Sequence, residues 1–187
     1  MRSRIVLTGL CLILSALLTS PLAAQKTYAL GIAGGAAFPA GQLRESQNSG
    51  YNGTLSLAIG VAELPIGVRF DAVYNYFPRR DVVTAASGAV GGAYSMQTIG
   101  GIANLIYAFP GTSAKPYLIA GAGWYRIERK GDGTKPQSSI GYNGGVGSTF
   151  GFGPIAMFIE SRYHSISRSA AKGGVVQFVP VTLGLMF

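Results

Sequence analysis

The chain closes on VVQFVPVTLGLMF, residues 175–187. Phe187, Leu185, Leu183, Val181, Val179 and Val175 fall on one parity, interrupted only by Gln177. Met186, Gly184, Thr182, Pro180, Phe178 and Val176 fall on the other, which is mixed. Successive side chains of a strand point to opposite faces, so a period of two predicts a β-strand with one apolar face. Whether that face meets a protein core or lipid is decided by the rest of the chain.

The opposite end narrows the choice. Residues 1–24 run from Arg2 and Arg4 through an apolar stretch from Ile5 to about Leu18, then to small residues and Pro21. Charged, apolar, small is the order of a cleavable signal peptide. The apolar stretch is shorter than the roughly 20 residues a spanning helix needs. Cleavage after Ala24 is expected, leaving residues 25–187 as one domain. The only cysteine, Cys11, lies in the leader, so the mature chain is expected to hold no disulfide, thiol nucleophile or thiolate metal site.

Composition then excludes most solvents but one. Charged residues are 12% and hydrophobic residues 48% of the chain, with mean hydropathy +0.33. Soluble domains carry about a quarter charged residues. Yet no second apolar run of about 18 residues exists, so no spanning helix is expected after the leader. An exported, apolar chain without a spanning helix is left with the closed β-barrel as its membrane solution.

Eight segments of suitable length lie between turn signals: 27–39, 50–61, 66–78, 93–109, 116–129, 139–151, 155–166 and 174–187. Each supplies the 9–11 or so residues of a tilted transmembrane strand. Their connections alternate between short and mostly longer, polar ones, as in an all-β, up-and-down, antiparallel barrel. An even strand count puts both mature termini on one side, the periplasmic one. Two local signals conflict with this. Asn143-Gly144-Gly145 is a turn signature inside the sixth segment. Pro180 cannot donate to a ladder, so a bulge or a broken bond is expected there.

Polar residues divide by parity. In segment three Val68, Phe70, Ala72, Tyr74 and Tyr76 oppose Arg69, Asp71 and Asn75. In segment four Leu105, Tyr107 and Phe109 oppose Asn104. In segment five Tyr117, Ile119, Tyr125 and Ile127 oppose Trp124, Arg126 and Glu128. In segment seven Ile155, Met157, Ile159 and Tyr163 oppose Phe158, Glu160, Arg162 and His164. A charge on the lipid face near the midplane costs about 2–4 kcal/mol, so the charged parity is expected to face the lumen. The predicted lumen network is Arg69, Asp71, Asn104, Arg126, Glu128, Glu160, Arg162 and His164.

These strand and turn patterns, above all NLIYAFPGTSAKPYLIAGAGWYRIE, IESRYHSIS and the terminal VTLGLMF, resemble the small OmpA/OmpX-like, opacity-porin-like outer-membrane β-barrels. The resemblance implies a barrel in a bacterial outer membrane, inserted by the barrel-assembly machinery. In that family the closing aromatic is part of the assembly signal, which by resemblance would be Phe187 with Leu185 and Leu183. The motifs carry no catalytic signature.

The chemistry-bearing residues point the same way. A serine hydrolase needs nucleophile, base and carboxylate within reach of one another. The single histidine, His164, faces away from Ser165, and Glu160 lies four residues along its face, about 13 Å at the strand rise. No catalytic residue, cofactor or metal is therefore expected. Net charge is +8, or 8 − 2 = +6 without Arg2 and Arg4. Loop basic residues Arg79, Arg80, Arg129 and Lys130 would suit lipopolysaccharide phosphates. No nucleic-acid motif accompanies them. The expectation is a non-enzymatic, monomeric barrel serving envelope integrity, adhesion or surface interaction with an unknown surface ligand. The alternatives are a lipid A deacylase-like enzyme and a narrow small-molecule conduit.

Overall fold

The computed structural model describes residues 28–60, 64–80, 82–83, 90–91, 94–131, 133–168 and 174–187. The expected leader lies outside them. Eight long strands form the wall: β1 (Tyr28–Ala40), β2 (Gly50–Gly60), β3 (Ile66–Phe77), β6 (Ser95–Ala108), β7 (Ala114–Lys130), β8 (Gln137–Phe152), β9 (Ile155–Ile166) and β10 (Val176–Met186). They close in the order β1-β10-β9-β8-β7-β6-β3-β2, every pair antiparallel. Between β3 and β6 sits a two-residue-per-strand hairpin, β4 (Val82–Val83) and β5 (Val90–Gly91). A short helix, α1 (Leu43–Ser46), sits between β1 and β2. Neither the hairpin nor the helix follows from the sequence pattern.

Closure is staggered. Following partners from Ala29 through Ala58, Arg69, Asn104, Gly121, Asn143, His164 and Phe178 returns to β1 at Pro39. The shift is 39 − 29 = 10 residues. Eight strands with that stagger tilt by about 40° and leave an interior just wide enough for side chains. The termini meet at the short-turn end, where Leu30 and Phe187 exchange two backbone hydrogen bonds of 2.9 Å. The longer connections cluster at the other end.

Both conflicting local signals resolve in favour of the strand. β8 runs unbroken through Asn143-Gly144-Gly145. Gly145 faces the lumen, where an added Cβ would run into the β9 backbone at Ser161 O and Arg162 Cα and into Arg162 Cγ. The glycine is there for space, not for a turn. At Pro180 the pairing with β9 skips from Phe178–His164 to Val181–Ser161 with the register unchanged. The ladder is therefore interrupted rather than bulged, as a residue without an N–H requires.

Polarity is inverted relative to a soluble domain. Outward side chains include Leu55 at 60%, Leu105 at 56% and Leu183 at 55% exposed. Arg69, Asp71, Glu160 and Arg162, in contrast, are at most 3% exposed. Tyr51 and Tyr76 lie tilted against each other at 5.2 Å on the outer face near the long loops, and Tyr107 and Phe109 meet edge-on at 5.1 Å near the short turns. Aromatic pairs at both rims of an apolar band are what a barrel wall facing lipid displays.

Candidate functional site

The centre of the lumen is a four-membered charge cluster. β3 contributes Arg69 and Asp71, and β9 contributes Glu160 and Arg162 from across the barrel. Arg69 Nη2 donates to both Glu160 oxygens at 2.8 Å, and its Nε lies 3.0 Å from Asp71 Oδ1. Arg162 Nη1 donates to Asp71 Oδ2 and its Nε to Glu160 Oε1, each at 2.8 Å. Two guanidiniums and two carboxylates alternate in a ring of no net charge. Burying such charges is costly unless the remaining lone pairs are satisfied. Ser56 supplies a 2.6 Å bond to Asp71, Asn104 a 2.9 Å bond to Asp71, and Tyr117 a 2.8 Å bond to Glu160. Asn143 Nδ2 in turn donates to Asn104 Oδ1 at 3.0 Å.

Glycines make the room. A Cβ on Gly147 would run into the Tyr117 ring and hydroxyl, and one on Gly121 into Asn104. Bulky polar groups from some strands thus face bare backbone from others.

Towards the long loops the filling changes. Phe77 ends β3, Met96 lies near the start of β6, Ile166 ends β9 and Val176 begins β10, and all four are buried in one cluster with Phe178, Tyr125, Ile127 and Leu43 of α1. Phe77 and Phe178 rings lie 5.3 Å apart. This is an apolar plug in the barrel mouth.

His164 sits beneath the plug. Its Nδ1 is 2.8 Å from the Tyr125 hydroxyl, and its ring stacks on Phe178 at 4.9 Å. Nε2 has no hydrogen-bond partner among the described residues. His164 is 1% exposed, and the carboxylate of Glu160 is engaged by Arg69, Arg162 and Tyr117 instead. Among the described residues no group of three or more His, Cys, Asp or Glu could hold a metal.

Of the eight predicted network residues, the structure brings together Arg69, Asp71, Asn104, Glu160 and Arg162, and places His164 in the same lumen next to Tyr125. Arg126 and Glu128 do not join them. β7 turns its other parity inward: Tyr117, Ile119, Tyr125 and Ile127 are at most 5% exposed, whereas Trp124 is 51% exposed and Arg126 is exposed. The reason is length. At 17 residues β7 is longer than an apolar band requires, so its last residues rise past the aromatic rim. There a charge on the outer face meets water and headgroups rather than hydrocarbon. Sequence reasoning accordingly misses Tyr117, as well as Ser56 and Asn143. The outward tryptophan is the signal that could have fixed the parity of β7, since such side chains favour the interface.

The loop basic residues gather at the long-loop end. Arg80 Nη1 donates to the Arg44 carbonyl at 3.0 Å, and Gln47 bridges to Arg79. Arg129 lies 4.7 Å over the Tyr94 ring, and Lys130 is exposed. Burial first, and then neighbouring Arg129, lower the Arg168 guanidinium below its ordinary pKa.

No family model and no curated protein sequence matches the chain. Solved structures do. The Neisserial surface protein A superimposes with a TM-score of 0.62 at 20% identity, covering 86% of this chain and 96% of that one. A major outer membrane protein from Thermus thermophilus gives 0.50 at 12% identity, covering 86% and 98%. The outer membrane enzyme PagL gives 0.47 at 18%, covering 85% and 98%. The chain has the fold of the small, eight-stranded, OmpA/OmpX-like barrels.

Proposed function

We propose that this is a non-enzymatic integral protein of a bacterial outer membrane, serving envelope integrity or surface interaction through its outer wall and long loops. One observation carries the reading: charges are sealed inside, while the exterior between two aromatic rims is apolar. In water such a surface would aggregate, and in lipid it is at home. The non-enzymatic reading is supported by the only histidine, which is tied to Tyr125 and Phe178 beneath the plug. Against a conduit stand the charge ring and the plug, which fill the interior at two levels.

Residues 1–24 would be the export signal, and the mature termini would lie in the periplasm with the long loops outside. Phe187, Leu185 and Leu183, all outward and 46–55% exposed, would be read by the barrel-assembly machinery. The test is topological. An epitope inserted between β7 and β8 should be labelled on intact cells, and a tag after Phe187 only after permeabilisation. Labelling of the C-terminal tag alone on intact cells would contradict the orientation. Recovery of the protein in the soluble fraction would contradict the membrane assignment.

A further inference from the structure

The β1–β2 connection folds back over the barrel mouth. Its helix α1 is a single turn, in which Arg44 N–H donates to Gly41 O at 3.2 Å and Gln47 N–H to Leu43 O at 3.0 Å. Leu43 alone of the helix is buried, inside the apolar cluster that holds Phe77, Met96 and Phe178. A helix of four residues has no stability of its own in water. A clasp to the β3–β6 connection holds this one in place. Asn48 N–H donates to Pro78 O at 2.9 Å, Arg80 N–H to Ser46 O at 3.1 Å, and Arg80 Nη1 to the Arg44 carbonyl at 3.0 Å.

The closed arrangement carries a cost. Gln47 is 1% exposed and donates to Tyr94 O at 3.2 Å, yet its Oε1 has no hydrogen-bond partner among the described residues. A buried acceptor without a donor penalises the closed form, and water would satisfy it on opening. Where β1 ends, Gly41 sits at φ +53°, a turn that glycine makes without strain. One inserted leucine, one helical turn and a clasp of surface hydrogen bonds describe a segment that opens locally while the barrel stays folded.

Opening would create two features together. The place of Leu43 becomes a recess for an alkyl group, bordered by Phe77, Met96 and Phe178. The Arg80 guanidinium loses the Arg44 carbonyl it now bonds. Residues 41–49, 78–94, 129–136 and 167–175 hold eight Lys and Arg against three Asp and Glu, so the field at this end is positive. An alkyl recess beside a released guanidinium matches a single apolar chain that ends in a carboxylate.

We propose that α1 is a hinged lid and that the mouth beneath it binds a soluble anionic amphiphile, the chain replacing Leu43 and the head meeting Arg80. Arrival of that ligand from outside the cell rests on the proposed orientation of the long loops. Leu43 is then the site's internal occupant, and lid opening and ligand binding are one equilibrium.

Residues 25–187 hold no cysteine, so Leu43→Cys places a single thiol on the lid of the vesicle-folded barrel. Its reaction with a water-soluble maleimide is timed alone, with decanoate, and with uncharged decyl maltoside. Glu45→Cys, on the exposed side of α1, is the control. Without ligand the thiol at position 43 should react several-fold more slowly than the one at 45. Decanoate should accelerate it several-fold, decyl maltoside should not, and Arg80→Ala should remove most of the acceleration. Leu43→Cys itself trims the occupant, so wild type is read by hydrogen exchange. The Gln47 and Arg80 amides, both bonded in the closed lid, should exchange faster than the Ile102 amide in the wall, and faster still with decanoate. Lid amides that exchange only as fast as Ile102 overturn the lid. Labelling and exchange unmoved by decanoate overturn the site, and an equal response to decyl maltoside or an undiminished one in Arg80→Ala overturns the anionic head on Arg80. A wild type without a heat-modifiable gel band instead overturns the barrel reading of the proposed function.

Discussion

Two halves of one lumen are filled by opposite means. Around Asp71 and Glu160 the interior is held by directional bonds among four charges and their neutral partners. Around Phe77 and Phe178 it is held by contact between apolar side chains. The charged half depends on every partner being present, because a lone charge there has no water to turn to. The apolar half tolerates shape changes at a cost set by the space left behind. A barrel with both is specified by the first and sealed by the second.

That contrast is sharpest in Glu160→Ala. The change removes a carboxylate that faces Arg69, Arg162 and Tyr117 together, leaving excess positive charge. Urea unfolding of the vesicle-folded barrel should show a loss of about 3–5 kcal/mol. Replacing Glu160 and Arg162 together by methionine should cost less than Glu160→Ala alone, because Arg69 and Asp71 remain a neutral pair. A double variant less stable than the single one would mean that the cluster acts through packing rather than through charge balance.

Phe178→Ala probes the other half. It removes the ring that contacts Phe77 and His164, and a loss of about 3 kcal/mol is expected in the same assay. Gly145→Ala tests the close approach of β8 to the β9 backbone at Ser161 and Arg162, and overpacking there should cost about 1–3 kcal/mol. Glu45→Ala, on α1, should stay within about 0.5 kcal/mol. If Glu45→Ala matched Glu160→Ala, burial of charge would not be what distinguishes them.

Much of this is legible in the chain. Alternation places the outward faces of β3, β6, β9 and β10, because the charges of β3 and β9 have to avoid lipid and the apolar residues of β6 and β10 recur on one parity. The same rule fails on β7, because Arg126 and Glu128 stand above the apolar band, where the cost that enforces the rule has vanished. Sequence parity carries no height, and height emerges only from the ten-residue stagger around the barrel. The pairing of Arg69 with Glu160 is likewise set by cross-lumen geometry, which no local pattern encodes. Parity alone makes Tyr117 a lipid-facing aromatic, whereas its hydroxyl bonds Glu160 inside the lumen.

Trp124 offers the most direct test of the central claim, that the apolar exterior faces lipid and the charges face inward. With the barrel in vesicles of bromine-labelled lipids, its emission should be blue-shifted and quenched most strongly by bromines close to the headgroup. Red-shifted emission that is quenched by aqueous iodide and untouched by brominated chains would contradict the account.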